Sequence, residues 1–299
     1  MTVLAQTTNL SETWRILITG VTSIHGWPIY SRLKTLVHPS CLYGVGPPKS
    51  RFKKNENLSS FCITDLKKLQ HLRDAFHPTH IIHCAGVCDL DVCEERPAWA
   101  YSMNVTGSKA IADVFGDSAY ILYMSTHLVF SGNNPPPGGY SEEHTPDPVS
   151  VAGKTFAEAE TRIQHCRHYC IVRLGLPLGD SIYGDKGAFD WVEGRFKRNL
   201  PVTLFTDEFR SCVECDAIAD MAVAVLGRQL QGVYHFGGER PWSLHDIGTY
   251  ILQRGYSPKL LTGIMRHQEK NGPPRIGDVS LNSTKLKSIL KRMKTQRAR

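Results

Sequence analysis

The chain has 299 residues, 41% hydrophobic and 21% charged, which is an ordinary composition for a globular protein with a sizeable core. It contains no run of about 18 apolar residues, so no membrane-spanning helix is expected, and the polar residues 1–13 do not resemble a signal peptide. The nine cysteines follow no disulfide-framework spacing, which favours a reducing, cytoplasmic location.

The net charge of +7 comes from the C-terminal end of the chain. Residues 285–299 include no acidic residue and carry seven basic ones: Lys285, Lys287, Lys291, Arg292, Lys294, Arg297 and Arg299. Without these seven, Lys and Arg equal Asp and Glu in number. The pattern is typical of a solvated basic tail, with phosphate binding or partner docking as the alternative. The charge therefore gives no reason to expect nucleic-acid binding.

The first 130 residues alternate short apolar runs with helix-like stretches, as βαβ units around a parallel sheet do. Strands are predicted at residues 15–20, 41–45, 80–85, 119–124 and 169–174, and a helix at 149–166. Open α/β sheets bind ligands beyond the carboxyl ends of their strands. We therefore expect Gly20, Ala85-Gly86 and Ser125-Thr126 to surround one crevice.

The chain divides into two predicted parts. Residues 14–175 should form a doubly wound α/β domain, to which residues 205–235 return. After residue 175 the composition shifts toward Gly, Asp and aromatic residues. Residues 176–204 and 236–286 are predicted to form a smaller substrate lobe, and residues 287–299 the basic tail.

A glycine-rich turn follows the first predicted strand. Residues 19–26 read T-G-V-T-S-I-H-G, so that Gly20, Ser23, Ile24 and Gly26 lie where backbone N–H groups can approach a pyrophosphate at a helix N-terminus. Ser23 replaces the middle glycine of a G-x-x-G-x-x-G pattern, and its side chain narrows the closest approach. The alternative is a helix cap that holds no ligand.

Further runs occur in a characteristic order along the chain. They are H-C-A-G at 83–86, N-V-T-G at 104–107, S-T-H-L-V-F-S-G at 125–132, G-V-Y-H at 232–235 and P-R-I-G-D-V-S-L at 274–281. Together with the turn, they resemble the extended short-chain dehydrogenases/reductases, in particular the dTDP-4-dehydrorhamnose reductase branch, over roughly residues 14–286. The resemblance implies a Rossmann-type domain, a nicotinamide cofactor and a polar, nucleotide-sugar-like carbonyl substrate.

The loop after the second predicted strand favours NADP(H) over NAD(H). It offers Lys49 and Arg51, and no acidic residue precedes them there to bind a ribose diol. A solvated basic loop is the alternative. By the resemblance, Asp65-Leu66 should contact the adenine, and Ala85-Gly86 should line the cofactor site.

The resemblance also shows where this sequence departs from the family. In the family, the catalytic helix carries a Tyr, three further residues and then a Lys. The matching positions of this sequence hold Ala152 and Phe156. In the family the Tyr donates a proton to the carbonyl oxygen, the Lys lowers the Tyr pKa, and a Ser or Thr holds the carbonyl. Thr126 keeps that last role, with Ser125 beside it, while neither helix position can donate or accept a proton.

Three functions remain open for such a chain. In the first, reduction continues with another acid, for which His127, expected at the mouth of the crevice, is the first candidate and His144 the second. In the second, the fold is a catalytically inactive nucleotide-binding partner, as the regulatory β subunit of methionine adenosyltransferase is in the same branch. In the third, it is a non-redox dehydratase, isomerase or cyclase. A homodimer is the family-level expectation.

No metal site is expected. Cys212-Val213-Glu214-Cys215 is a single C-x-x-C without the second ligand pair that structural zinc needs. The histidine and cysteines at 83–93 fall on the loop that lines the cofactor site in the family.

Overall fold

The structure of the chain is a computed structural model that describes residues 10–50, 52, 57–269 and 272–296. Its strands are β1 (Ile16–Thr19), β2 (Leu42–Gly46), β3 (Leu58–Ser60), β4 (His80–His83), β5 (Tyr120–Thr126), β6 (His168–Leu174), β7 (Pro177–Leu178), β8 (Val202–Phe205), β9 (Phe209–Ser211), β10 (Val213–Glu214), β11 (Gly232–Phe236), β12 (Pro241–Ser243) and β13 (Leu261–Ile264). Its helices are α1 (Gly26–Leu33), α2 (Leu66–Phe76), α3 (Leu90–Glu95), α4 (Pro97–Tyr101), α5 (Gly107–Phe115), α6 (Val151–Ile163), α7 (Gly187–Lys197), α8 (Cys215–Arg228), α9 (Leu244–Leu252) and α10 (Thr284–Gln296).

Seven strands form one parallel sheet in the order β3-β2-β1-β4-β5-β6-β11. The order reverses between β1 and β4, which is the switch point of a doubly wound sheet. The fold class predicted from the sequence is confirmed. None of the helices in the described ranges has the length and apolar character needed to cross a membrane.

Each face of the sheet is covered by its own hydrophobic core. On one face, Leu17, Ile81 and Ile121 pack with α2, α5 and α6. On the other, the alternate residues Ile18 and Ile82 pack with α1, α8 and α10. This division follows from strand geometry, because successive side chains point to opposite faces and parallel strands are buried on both.

A smaller lobe has a separate core. It is built from α7, β8 and α9, with Phe189, Val192, Phe196, Val202 and Ile247 buried at its centre. Strands β8 and β9 pair with β13 and β12 of the lobe, whereas α8 and β11 return to the main domain. The chain therefore crosses between the two parts several times, which holds the lobe close to the carboxyl edge of the sheet.

The basic C-terminal segment forms helix α10 as far as Gln296. Leu286 and Leu290 are 0% and 4% exposed and belong to the core that α1 and α8 share. Their spacing of four residues places both on one helix face, so this face is anchored to the protein. Residues 297–299 lie outside the described ranges.

Candidate functional site

The carboxyl ends of four neighbouring strands meet at one edge of the sheet. Thr19, at the end of β1, is in register with His83 at the end of β4, and His83 is in register with Tyr123 in β5. Thr126, which ends β5, is in register with Leu174, which ends β6. The loops that follow β1 and β4 carry Gly20 and Ala85-Gly86, and Ser125-Thr126 ends β5, so the predicted crevice residues are brought together.

The glycine-rich turn is packed too tightly for a side chain at Gly20 or Gly26. Gly20 has a φ of 64°, and a Cβ there would lie 2.5 Å from the backbone nitrogen of Ala85. A Cβ at Gly26 would collide with the carbonyl oxygen of Gly20 and lie 2.7 Å from Ser23 Oγ. Glycine is required at Gly20 for both its backbone conformation and the close approach of the loop that follows β4.

Ser23 occupies part of the space in front of helix α1. Its hydroxyl oxygen accepts the N–H of Gly26 at 3.0 Å, while its own N–H donates to the Gly20 carbonyl at 2.8 Å. In the described part of the chain, the N–H groups of Ile24 and His25 donate to no acceptor. Two unpaired N–H groups at a helix N-terminus fit a pyrophosphate oxygen, so the turn can hold a dinucleotide despite Ser23.

The imidazole of His25 adds unsatisfied polar atoms to this turn. Both ring nitrogens are buried, and neither has a hydrogen-bond partner within the described ranges. Burial lowers the pKa of His25 to about 4, so the ring is neutral near pH 7. A buried polar atom without a partner costs free energy, and a ligand or water at the turn would relieve that cost.

The residues predicted for the adenosine end follow β2 and β3. Lys49 lies exposed in a turn after β2, with a φ of 73°, and Arg51 lies outside the described residues. Asp65 caps α2 by accepting the N–H of Lys68 at 3.2 Å, and Leu66 is 44% exposed. Both loops extend from the same sheet edge as the glycine-rich turn, as an adenosine site would require.

Helix α6 carries the two positions predicted to replace Tyr and Lys. Ala152 is 0% exposed and Phe156 is 6% exposed, and both belong to the core between the sheet and helices α2, α5 and α6. The Phe156 ring stacks on Tyr123 at 6.3 Å, and its edge reaches Gly86, where a Cβ would lie 2.9 Å from it. Both positions are therefore filled by buried apolar side chains, neither of which can donate or accept a proton.

The hydroxyl of Ser125 belongs to a buried ionic network. It donates to Glu160 Oε1 at 2.5 Å, and Glu160 accepts three contacts of 2.7 to 3.2 Å from the guanidinium of Arg173. Arg173 Nη1 also lies 3.4 Å from His235 Nε2. Ser125 is fixed by this network. Sequence reasoning did not single out Glu160, although its spacing of four residues from Phe156 places it on the same face of α6.

His127 does not occupy the position expected from the sequence. It is 4% exposed in a 3-10 turn after β5, and its Nδ1–H donates to the carbonyl of Leu174 at 2.9 Å. Burial, aided by the positive charge of Arg210, lowers the pKa of His127 to about 3. The ring is therefore neutral near pH 7 and its one proton is held by a backbone carbonyl. His127 therefore does not titrate near neutrality, contrary to the expectation from the sequence, because burial lowers its pKa.

Thr126 and His144 differ in their exposure and in the hydrogen bonds that their side chains make. Thr126 is 7% exposed, and its oxygen accepts the N–H of Leu128 at 3.3 Å, which leaves its own hydroxyl proton without an acceptor among the described residues. His144 is exposed, and its Nδ1 accepts the N–H of Ser141 at 3.0 Å. The loop of His144 is fastened to β11, since His235 Nδ1–H donates to the Tyr140 carbonyl at 2.8 Å. Thr126 is the last residue of β5, at the carboxyl end of the sheet, whereas the loop of His144 is bonded to β11.

A model of the family described as the RmlD substrate binding domain matches residues 14–299. The chain belongs to the RmlD substrate-binding-domain family. Methionine adenosyltransferase 2 subunit beta of Rattus norvegicus is 31% identical over 286 residues, covering 92% of this chain and 82% of that protein. A hypothetical dTDP-4-dehydrorhamnose reductase of Sulfolobus tokodaii superposes with a TM-score of 0.77 at 25% identity, covering 93% and 95% of the two chains. The Bacillus anthracis dTDP-4-dehydrorhamnose reductase in complex with NADP superposes with a TM-score of 0.72 at 19% identity, covering 92% of each.

Within this RmlD-family fold, the two halves of the site differ in state. The nucleotide half keeps a tight turn and unpaired N–H groups at Ile24 and His25. Positions 152 and 156 hold buried apolar side chains, and the ring of His127 is neutral near pH 7. The arrangement can hold a dinucleotide, and the Thr126 hydroxyl has no acceptor among the described residues.

Proposed function

We propose that this chain is a nicotinamide-dinucleotide-binding subunit that acts through a protein partner and lacks the reductase chemistry of its fold. The observation that carries the proposal is the packing of Ala152 and Phe156 into the core under the sheet. A bound reduced nicotinamide supplies a hydride, and carbonyl reduction then needs a proton at the oxygen. Loss of a general acid typically slows such a reaction by roughly 10²- to 10⁴-fold.

The nucleotide part of the proposal is supported by the turn. Unpaired N–H groups at Ile24 and His25, at the start of α1, suit a pyrophosphate. Lys49, together with Arg51 outside the described residues, supports NADP(H) as the preferred form, because a 2′-phosphate needs basic partners. The Bacillus anthracis structure named above holds NADP in the same fold.

The partner part of the proposal is supported by the relatives. The Rattus norvegicus protein is named as a subunit of a methionine adenosyltransferase and aligns over 92% of this chain. A fold that keeps its nucleotide turn while burying apolar groups at its reaction centre suits a subunit whose output is binding. We therefore expect a protein partner rather than turnover of a small molecule.

The test is a titration of the purified protein with NADPH and NADH, followed by nicotinamide fluorescence, and then a screen of polar carbonyl compounds for NADPH oxidation. We expect NADPH to bind more tightly than NADH, and no carbonyl compound to cause NADPH oxidation. Sustained NADPH oxidation in the presence of any carbonyl compound would overturn the proposal, and so would the absence of binding of both nucleotides. Capture of a defined partner by the NADPH-loaded protein, compared with the Gly20→Ala variant, tests the partner part.

A second candidate is a reductase of altered mechanism that acts on a nucleotide-sugar-like carbonyl. The observation in its favour is Thr126, whose hydroxyl proton has no acceptor among the described residues. In that function Thr126 would hold the carbonyl oxygen by a hydrogen bond. The carbonyl screen separates the two candidates, because substrate-dependent oxidation that is abolished by Thr126→Val would establish the second one.

A further inference from the structure

A segment of the smaller lobe lies on the dinucleotide turn. The ammonium of Lys186 donates to the carbonyl oxygen of Thr22 at 3.1 Å and to its hydroxyl oxygen at 3.2 Å. Thr22 immediately precedes Ser23 in the turn and is 1% exposed. The next lobe residue, Gly187, packs beside Ile24, where a Cβ would lie 3.6 Å from the Ile24 side chain. Two consecutive residues of the lobe therefore contact the turn, at Thr22 and Ile24.

The backbone around Lys186 is fixed within the lobe. The carboxylate of Asp190, which is 6% exposed, accepts the N–H groups of Ser181 and Lys186, each at 3.1 Å. The hydroxyl oxygen of Ser181 accepts the N–H groups of Asp185 and Lys186 at 3.2 and 3.3 Å. These bonds close a compact loop in front of α7, so the lysine side chain starts from a defined point.

The positive charge of Lys186 is not matched by an ion pair. Its side chain is partly buried, both of its oxygen partners on Thr22 are neutral, and no carboxylate within the described ranges forms an ion pair with it. Burial lowers the pKa of Lys186, and the negative charge of nearby Asp185 offsets only part of that effect. An ammonium has three N–H donors, and Thr22 takes two of them.

An unpaired cation and unpaired N–H groups therefore converge on the same turn. The N–H groups of Ile24 and His25 lack acceptors, and the hydroxyl of Ser23 already holds the N–H of Gly26. One backbone donor of the turn is thus withdrawn from any phosphate, while a full positive charge is supplied from across the domain boundary. An ammonium and two backbone N–H groups can bind an anion that has several oxygen atoms, and a pyrophosphate is such an anion.

We infer that Lys186 is a pyrophosphate-binding residue, contributed by the smaller lobe, for the dinucleotide of the proposed function. On binding, its ammonium donates to a non-bridging phosphate oxygen beside the N–H groups of Ile24 and His25. Because Lys186 belongs to the lobe, this contact joins the lobe to the Rossmann domain through the ligand. The inference rests on the proposed function, since it requires a dinucleotide at the turn.

The experiment compares two probes on four proteins. The probes are NADPH, which contains the pyrophosphate, and adenosine 2′-monophosphate, which lacks it. The proteins are the wild type, Lys186→Gln, Lys186→Arg and Lys259→Gln, the last removing an exposed lysine of the same lobe as a charge-matched control. Lys186→Gln should weaken NADPH binding roughly 10- to 100-fold, as expected for a charged hydrogen bond, and leave binding of adenosine 2′-monophosphate within about twofold. Lys186→Arg should retain most of the NADPH affinity, and Lys259→Gln all of it.

Other outcomes count against Lys186 in distinguishable ways. Unchanged NADPH binding by Lys186→Gln would overturn the inference. Tighter NADPH binding would also overturn it, because the lysine would then hinder nucleotide binding. An equal loss for both probes would also overturn it, because the change would be a general defect of the fold. If the wild type binds neither probe, the proposed function itself fails, and the role of Lys186 fails with it.

Discussion

Replacing Glu160 by Gln should destabilise the folded protein by about 3–5 kcal/mol. Glu160 and Arg173 are 3% and 5% exposed, and the guanidinium makes three contacts with the carboxylate. Glutamine keeps the size of the side chain but removes the negative charge, so Arg173 stays buried with an uncompensated positive charge. Ser125 also loses its charged acceptor. The measurement is the free energy of unfolding in urea at pH 7.

Helix α6 provides a matched control two residues away. Glu158 pairs with Arg162 at 2.7 Å on the surface, where the two side chains are 37% and 40% exposed. Glu158→Gln changes the same charge in the same helix, and should cost less than about 1 kcal/mol because solvent screens the pair. If both variants lose the same small amount of stability, the Glu160–Arg173 pair is not buried as described. Replacing both Glu160 and Arg173 with apolar residues of similar volume should recover much of the loss.

Three further changes probe other parts of the chain. Gly20→Ala should lower the free energy of unfolding by more than about 1 kcal/mol and abolish NADPH binding, because Gly20 has a φ of 64° and the new Cβ would collide with the backbone of Ala85. A wild-type free energy of unfolding in urea would contradict this. Leu286→Ala should cost about 2–5 kcal/mol in the same assay, whereas an unaffected midpoint would mean that α10 does not pack on the core. His127 has a folded pKa of about 3 against an ordinary 6.5, so the unfolded chain binds the extra proton and stability falls as pH drops from 6.5 toward 3. His127→Gln should reduce that slope by about 1.4 kcal/mol per pH unit, and an unchanged slope of unfolding free energy against pH would refute the burial argument.

Local sequence determined five strands of the central sheet and the glycine-rich turn. The apolar runs predicted at residues 15–20, 119–124 and 169–174 are confirmed as β1, β5 and β6, and the helix predicted at 149–166 as α6. Buried parallel strands are continuous apolar runs, so their positions can be predicted without knowledge of the partners. Strand β3, Leu58-Ser59-Ser60, was not predicted, because an edge strand with two serines has no such run.

The state of the candidate site was decided by contacts between distant parts of the chain. His127 is neutral because packing between distant elements buries its ring, and Lys186 reaches a turn 164 residues before it. Glu160 binds Ser125 and Arg173, which come from two adjacent strands. The sequence alone determined that Ala152 and Phe156 carry no ionisable group. Only the tertiary structure decided which of the remaining polar groups are free, because burial and hydrogen-bond partners depend on packing between elements that lie far apart in the chain.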